Sequence, residues 1–166
     1  MESVVLLIGS NDREAARLVD DAIAIIARSV GEVVKCSKEY ISEPYGFTSA
    51  NCFVNRAIEI ESDYDAYEIL RRINLIEALL GRDRDEERKV QSEMGERYAS
   101  RPIDIDIVLY GNATYDDSRL VIPYHFIDKR EYALRPVAEI AAHRRHPKWQ
   151  YTPEEMLQRL TAKIAK

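Results

Sequence analysis

The sequence lacks the features that mark secreted and membrane-spanning proteins. Only two of its 166 residues are cysteine, which is too few for a disulfide framework, so free thiols are expected at Cys36 and Cys52. No apolar run approaches the length of a membrane span, and the start MESVVLLIGS has no basic segment of the signal-peptide kind. These features together predict a cytoplasmic protein without a membrane partner.

An excess of positive charge is also missing. The formal net charge is −5 and no basic stripe dominates, which weighs against a nucleic-acid partner bound over a broad surface. There is no GxGxxG sequence, no Walker-type phosphate loop and no nucleophilic serine or cysteine motif. These absences favour direct transfer between two bound substrates over a covalent enzyme intermediate. For the assembly state, we expect a monomer or a weak homodimer.

The apolar pattern that is present predicts an α+β fold. Strands are expected over residues 3–9, 33–42, 52–61 and 102–111, and helices after residue 11 and after a capping box at Asp65 and Glu68. A hairpin near residues 116–123, a short helix over 131–141 interrupted by Pro136, and a helix capped by Thr152 should follow. The order β-α-β-β-α-β is that of a ferredoxin-like domain, with a mainly antiparallel sheet and helices packed on one face. We expect a single domain over residues 1–166.

The strand PIDIDIVLYG carries two acidic residues in an apolar setting. Ile103, Ile105, Ile107 and Leu109 alternate along it, and Asp104 and Asp106 lie between them, on the other face. Aspartate is a poor strand former, and two carboxylates at this spacing repel each other. Oxygen ligands without histidine or cysteine nearby suit Mg²⁺ or Ca²⁺. The alternative at this stage is a solvated strand face with acidic decoration.

A charged segment without clear periodicity precedes this strand. Residues 82–101 contain five arginines, namely Arg82, Arg84, Arg88, Arg97 and Arg101. Arginine is well suited to clamp phosphate oxygens, and a long segment without its own structure is typical of a lid. Acidic residues are interleaved with the arginines, so a solvated mixed-charge loop is the competing interpretation. Next to two metal-binding aspartates, the arginines favour polyphosphate transfer.

Aromatic and amide side chains cluster in two further segments. EPYGFTSANCFVNRA contains Tyr45, Phe53 and Asn55, which could sandwich a planar heterocycle and read its edge. A core position for Phe53 and a turn or strand-edge position for Asn55 are the alternatives. IPYHFIDKREYALRP contains Arg130 and Tyr132, whose significance from the sequence alone is slight.

These segments, in this order, resemble one protein family. The matching pieces are LIGSN, Y-x-S-x-P-x-G from residue 40, F-V-N at residues 53–55, IE-x-x-x-GR-x-R at 76–84, R-x-IDIDI at 101–107 and R-L-x-IP at 119–123. The ordered set resembles the 6-hydroxymethyl-7,8-dihydropterin pyrophosphokinases of folate biosynthesis. The resemblance implies transfer of the β,γ-pyrophosphate of ATP to the hydroxymethyl oxygen of the pterin, with release of AMP.

The resemblance also implies roles for individual residues. Asp104 and Asp106 would hold two Mg²⁺ ions together with ATP. The other catalytic residues would be Arg82, Arg84, Arg88 and Arg101. ATP would be bound by Glu77, on the exposed side of its helix, and by Arg84, Ile107, Arg119, Tyr124, His125 and Arg130. The pterin would be bound by Ser42, Pro44, Tyr45, Phe53, Asn55 and Tyr132.

The chain departs from the family pattern at a few positions. Its order is Pro123-Tyr124-His125, whereas the family has histidine directly after the proline. The charged segment carries extra residues, so Arg88 and Arg97 both match one arginine position of the family. Two other hypotheses stay open on the sequence alone. They are a non-catalytic ferredoxin-like module that binds a small ligand and an RNA-binding sheet of the same topology.

Overall fold

The computed structural model describes residues 1–43, 52–94 and 102–164. The strands are β1 Glu2–Ser10, β2 Glu32–Cys36, β3 Tyr40–Ser42, β4 Phe53–Ser62, β5 Asp104–Tyr110, β6 Tyr115–Asp116 and β7 Val121–Ile122. The helices are α1 Ala15–Ser29, α2 Ala66–Leu79, α3 Arg84–Met94, α4 Glu131–Ala141 and α5 Pro153–Ile164. None of the described helices is both long and apolar enough to cross a membrane.

The main sheet is antiparallel at every described pairing. Its order is β2-β4-β1-β5, and β3 pairs with β4 beyond the end of β2. The single strand predicted over residues 33–42 is therefore two strands along one partner. Strands β6 and β7 form the predicted hairpin as a separate two-stranded sheet. β1 lies between β4 and β5, so it connects the strand that carries Asn55 with the strand that carries the two aspartates.

Helices α1 and α2 cover one face of the sheet. The apolar face predicted for α1 is buried there, as are Ile69, Ile73 and Ile76 of α2. The predicted cap of α2 is confirmed, because the Asp65 side chain accepts a hydrogen bond from the backbone N–H of Glu68 (2.8 Å). The isoleucines of the acidic strand, at residues 103, 105 and 107, pack into this first core.

Helix α4 covers part of the other face, together with α5. A second apolar core there joins Val5 and Leu7 of β1 to Leu134 and Val137 of α4 and Met156 of α5. The expectation that helices pack on one face only was wrong, since the C-terminal helices bury the opposite side. Pro136 lies inside α4, which is continuous over Glu131–Ala141. The α5 capping box is confirmed by mutual hydrogen bonds of Thr152 and Glu155.

A β-bulge interrupts the alternation of β5. Val5 pairs with Leu109 but Leu6 pairs with Ile107, so Val108 is the extra residue. Leu109 therefore faces the second core, whereas strict alternation would place it with the isoleucines. The prediction for Leu109 was wrong because a one-residue insertion reverses the facing of every residue after it.

The charged segment before β5 is helical at its start. Helix α3 spans Arg84–Met94, where no secondary structure was predicted. The Asp83 side chain accepts hydrogen bonds from the backbone N–H groups of Asp85 and Glu86, and acidic residues fill the first turn. Both features stabilise a helix N-terminus. A cap and charges, rather than an apolar stripe, therefore define this helix.

Candidate active site

The register of the sheet aligns four residues in one row on the face that α4 partly covers. Tyr40 pairs with Asn55, Asn55 with Gly9, and Gly9 with Asp104. Directly paired residues point to the same side of a sheet. Asp106 pairs with Leu7 of the second core, so both aspartates lie on this face, as predicted.

Gly9 gives this row its space. A Cβ atom at Gly9 would lie 2.4 Å from Oδ1 of Asn55. The absence of a side chain at the centre of the row therefore lets the Asn55 amide lie over β1 and leaves room between Asn55 and Asp104. Asn55 is 4% exposed, which excludes the strand-edge position considered from the sequence.

A cavity of about 160 Å³ opens above this row. Its lining comes from β1, β3, β4, β5 and the start of α4, and consists of Gly9, Ser10, Asn11, Ser42, Phe53, Asn55, Asp104, Arg130 and Tyr132. Within the described parts of the chain, three of the four buried side-chain atoms without a hydrogen-bond partner line this cavity: Oδ1 of Asn11, Oγ of Ser42 and Nδ2 of Asn55. Buried polar atoms are nearly always paired, so the cavity is suited to a ligand with both donors and acceptors.

Arg130 forms the wall of the site at the start of α4. Its Nη1 donates to the phenol oxygens of Tyr124 (3.1 Å) and Tyr132 (2.9 Å), and its guanidinium lies 4.3 Å from the ring centroid of Phe126. These contacts fix a cation above the sheet face that carries the aspartates. Burial, followed by the negative charge of Asp106, raises the pKa of the Tyr124 phenol. The backbone N–H of Tyr124 donates to the carbonyl oxygen of Val108 in β5 (3.0 Å), so Tyr124 links Arg130 with the acidic strand.

A second charged group surrounds Arg82, beside Asp104. Nη1 of Arg82 donates to Oε2 of Glu77 (2.7 Å) and to Oδ1 of Asp104 (2.9 Å). Glu77 Oε2 also accepts from the backbone N–H of Ile105 (2.8 Å), which satisfies a donor on the outer edge of β5. Gly81, with φ of +103°, allows the chain to turn back here. The guanidinium thus ties α2 to the acidic strand.

Two sequence-based placements are corrected by this group. Glu77 was expected on the exposed side of its helix, but only 1% of its side chain is exposed. Arg82 was expected in a structureless segment, but its side chain is 5% exposed. Both are buried because the carboxylate and the guanidinium satisfy one another and the edge of β5. Burial raises the pKa of the Glu77 carboxyl, and the positive charge of Arg82 opposes that effect.

The remaining predicted residues are spread around the site. Arg84 donates to Oε1 of Glu77 (2.8 Å), and Arg88 is exposed on α3. Ile107 is buried in the first core, and His125 is exposed against Phe126. Arg119, in the turn between β6 and β7, is also exposed and lies over the ring of Tyr67 on α2. The predicted residues outside the described part of the chain are Pro44, Tyr45 and Arg101, together with Arg97.

Four residues that the structure places at the site had no predicted role there. Gly9, Ser10 and Asn11 lie in the LIGSN segment, for which the sequence predicts the end of a strand and the start of a helix. That segment, a glycine and polar residues directly after a buried strand, was the available signal. Glu87, which contacts Arg82, gave no signal of its own within a run of mixed charges.

Comparison with known proteins identifies the family of this chain. The family model described as 7,8-dihydro-6-hydroxymethylpterin-pyrophosphokinase (HPPK) matches residues 5–142. The chain belongs to the HPPK family. An HPPK relative from Methylorubrum extorquens, named 2-amino-4-hydroxy-6-hydroxymethyldihydropteridine pyrophosphokinase, is 34% identical over 85% of this chain and 84% of its own length. A relative of the same name from Porphyromonas gingivalis is 30% identical over 85% of this chain and 92% of its own.

Solved structures support the fold of this HPPK chain. A Plasmodium falciparum HPPK-DHPS protein superposes with a TM-score of 0.78 at 14% sequence identity. The match covers 99% of this chain and 45% of that one, so this chain spans less than half the length of that protein. At such low identity the match supports the fold alone.

Proposed function

We propose that this HPPK transfers the β,γ-pyrophosphate of ATP to the hydroxymethyl oxygen of 6-hydroxymethyl-7,8-dihydropterin, which yields the pterin diphosphate and AMP. The observation that carries the proposal is one small cavity in which unpaired polar atoms and Asp104 line the same space. The names of the relatives give the hydroxymethyl-dihydropterin and the pyrophosphokinase reaction. The chain is proposed as a single ferredoxin-like domain over residues 1–166, an arrangement that the strand order β2-β4-β1-β5 supports.

The unpaired polar atoms suit the edge of a pterin. A pterin ring presents an exocyclic amine, a carbonyl and ring nitrogens along one edge. Nδ2 of Asn55 can donate to an acceptor on that edge, and Oδ1 of Asn11 can accept from its amine or a ring N–H. Phe53 and Tyr132 line the same cavity and provide flat apolar surface for the ring. The pterin would therefore be held in one orientation by its edge.

The two aspartates suit Mg²⁺ as it binds with a nucleotide. Mg²⁺ prefers oxygen ligands and is commonly bound by one or two carboxylates together with substrate phosphates. Asp104 and Asp106 supply two carboxylates on one face, and no group of three or more metal-ligating side chains occurs among the described residues. When bound, the two proposed Mg²⁺ ions would neutralise phosphate charge at the attacked phosphorus.

The protein's own contribution would be positioning and charge. Asp104 borders the pterin cavity, so the hydroxymethyl group at the end of the ring would lie near the aspartates. Arg130, held by Tyr124 and Tyr132, would contact the transferred group from the side of α4. Fixing two substrates in line can supply about 7–11 kcal/mol of the barrier. No residue of the site has to act as a covalent nucleophile.

An end-point assay tests the proposal directly. The protein would be mixed with ATP, Mg²⁺ and the pterin alcohol, and the nucleotides separated. Pterin-dependent AMP is expected, in equal amount to the pterin consumed. Release of ADP would indicate single phosphoryl transfer, and absence of turnover by folded protein at saturating substrates would favour the non-catalytic binding module.

Substitution of Asn55 should weaken pterin binding. Asn55→Ala removes a buried amide that faces the cavity, at a cost of about 1–3 kcal/mol, which is roughly 5- to 140-fold in Kd. Calorimetric titration with the pterin alcohol measures this change. Asn112→Ala, at an exposed position after β5, is the matched control and should bind as the wild type does. Equal affinities for Asn55→Ala and the control would contradict the assignment.

A further inference from the structure

Glu87 occupies one complete edge of the Arg82 guanidinium. Its Oε1 accepts from Nε (2.8 Å) and its Oε2 lies 3.4 Å from Nη2. The Nε–Nη2 edge is one of the two guanidinium edges that bind planar or tetrahedral oxyanions through two parallel hydrogen bonds. Nη1 is meanwhile engaged by Glu77 and Asp104. A phosphate could therefore bind the Nε–Nη2 edge in bidentate fashion only after Glu87 has left it.

The position of Glu87 is set by the first turn of α3. The backbone N–H of Glu87 donates to the carbonyl oxygen of Asp83 (3.0 Å), and Asp83 also caps the turn. The Glu87 side chain is only 10% exposed, whereas Asp85 and Glu86 beside it are exposed. Among the three acidic residues of this turn, only Glu87 contacts Arg82, so its role is specific to its position.

The charge balance adds to the competition. Arg82 contacts the carboxylates of Glu77, Glu87 and Asp104, and Arg84 contacts Glu77. The carboxylate of Glu87 and the oxygens of a phosphate carry the same sign of charge, so they compete for the same donors of Arg82. Exchange of Glu87 for a phosphate oxygen would keep Arg82 paired.

We propose that Glu87 acts as an internal competitor of the nucleotide, holding the phosphate-binding edge of Arg82 until a phosphate group displaces it. The inference rests on the proposed function, because it takes ATP as the source of that phosphate. Glu87 thereby lowers the affinity for the nucleotide and keeps a buried arginine paired when it is not in contact with phosphate. Arg82 would then pair with Glu87 in the absence of nucleotide and with a phosphate group when the nucleotide is bound.

Nucleotide affinity of Glu87 variants tests the inference without any need for turnover. The probe is a non-hydrolysable β,γ-methylene analogue of ATP with Mg²⁺, titrated by calorimetry. Glu87→Gln should lower the Kd about fivefold or more, since the analogue no longer has to displace a charged carboxylate from Arg82 in order to bind. The matched control is Glu86→Gln, which removes the same charge from an exposed neighbour and should leave the Kd within about twofold.

The outcomes separate this inference from the proposed function. If the wild type binds the analogue and Glu87→Gln binds it no more tightly, Glu87 is not a competitor and the inference fails alone. If the folded wild type does not bind the analogue, the proposed function fails and the inference with it. Circular dichroism checks folding. If Glu87→Gln is unfolded, Glu87→Asp takes its place, because the shorter side chain cannot reach both Nε and Nη2 of Arg82. It should also bind the analogue more tightly than the wild type, and equal affinity would contradict the inference.

Discussion

Asp106→Asn should lower the rate of AMP release by about 10³-fold or more while the fold is retained. The expected loss corresponds to about 4 kcal/mol, a typical contribution of one preorganised electrostatic group to a transition state. Asp106 lies on the open sheet face beside Leu7 and contributes its negative charge to the surroundings of Tyr124. The amide has the same shape but is a far weaker ligand for a hard cation.

Rates measured across a range of Mg²⁺ concentrations would identify the cause. Loss of metal binding predicts that high Mg²⁺ recovers part of the activity of Asp106→Asn. Asp116→Asn, at an exposed position on β6, removes the same charge outside the site and should show the wild-type rate. Full activity of both Asp106→Asn and Asp104→Asn would rule out the aspartates as the cation site.

Glu77→Leu should destabilise the protein by about 3 kcal/mol, the low end of the cost of breaking a buried ion pair. The substitution leaves the Ile105 N–H without its acceptor and removes one of three carboxylates from a nearly fully buried guanidinium. Glu77→Gln should cost less, because its amide oxygen can still accept from Ile105. The magnitude places this change among the largest expected for a single residue outside the apolar core.

Urea unfolding followed by circular dichroism measures this loss. Glu86→Gln, which changes an exposed carboxylate of α3, is the control and should unfold within about 0.5 kcal/mol of the wild type. The double variant Glu77→Leu with Arg82→Met should lose less unfolding free energy than the two single variants lose in total, since the two residues stabilise each other. Strict additivity would mean that the contact between them carries little free energy.

Local patterns in the sequence were sufficient for most of the fold. The α2 cap at Asp65 depends on residues three apart, and the buried stripe of α1 on residues three and four apart. Such relations are visible in the chain itself. The C-terminal helices were correctly expected, but the sheet face on which they pack was not, because that depends on where the chain crosses the sheet after β7.

Long-range pairing explains what the sequence did not reveal about the site. The position of Glu77 on α2 gives no sign of burial, because its partners are an arginine five residues on and the backbone of β5, 28 residues away. Helix α3 escaped prediction since its sequence RDEERKVQSEM has almost no apolar residues. By contrast, the sheet face of Asp104 and Asp106 was predicted correctly, because alternation along a strand determines the face on which they lie.

The bulge at Val108 gives β5 two independent halves. Before it, alternate residues serve the acidic site and the first core. After it, Leu109 packs under the C-terminal helices and the hydroxyl of Tyr110 donates to the carbonyl of Tyr64. Substitutions after Val108 can therefore change the packing at the end of the strand while Asp104 and Asp106 keep their orientation. Sequence drift among homologues is expected to be freer after Val108 than before it.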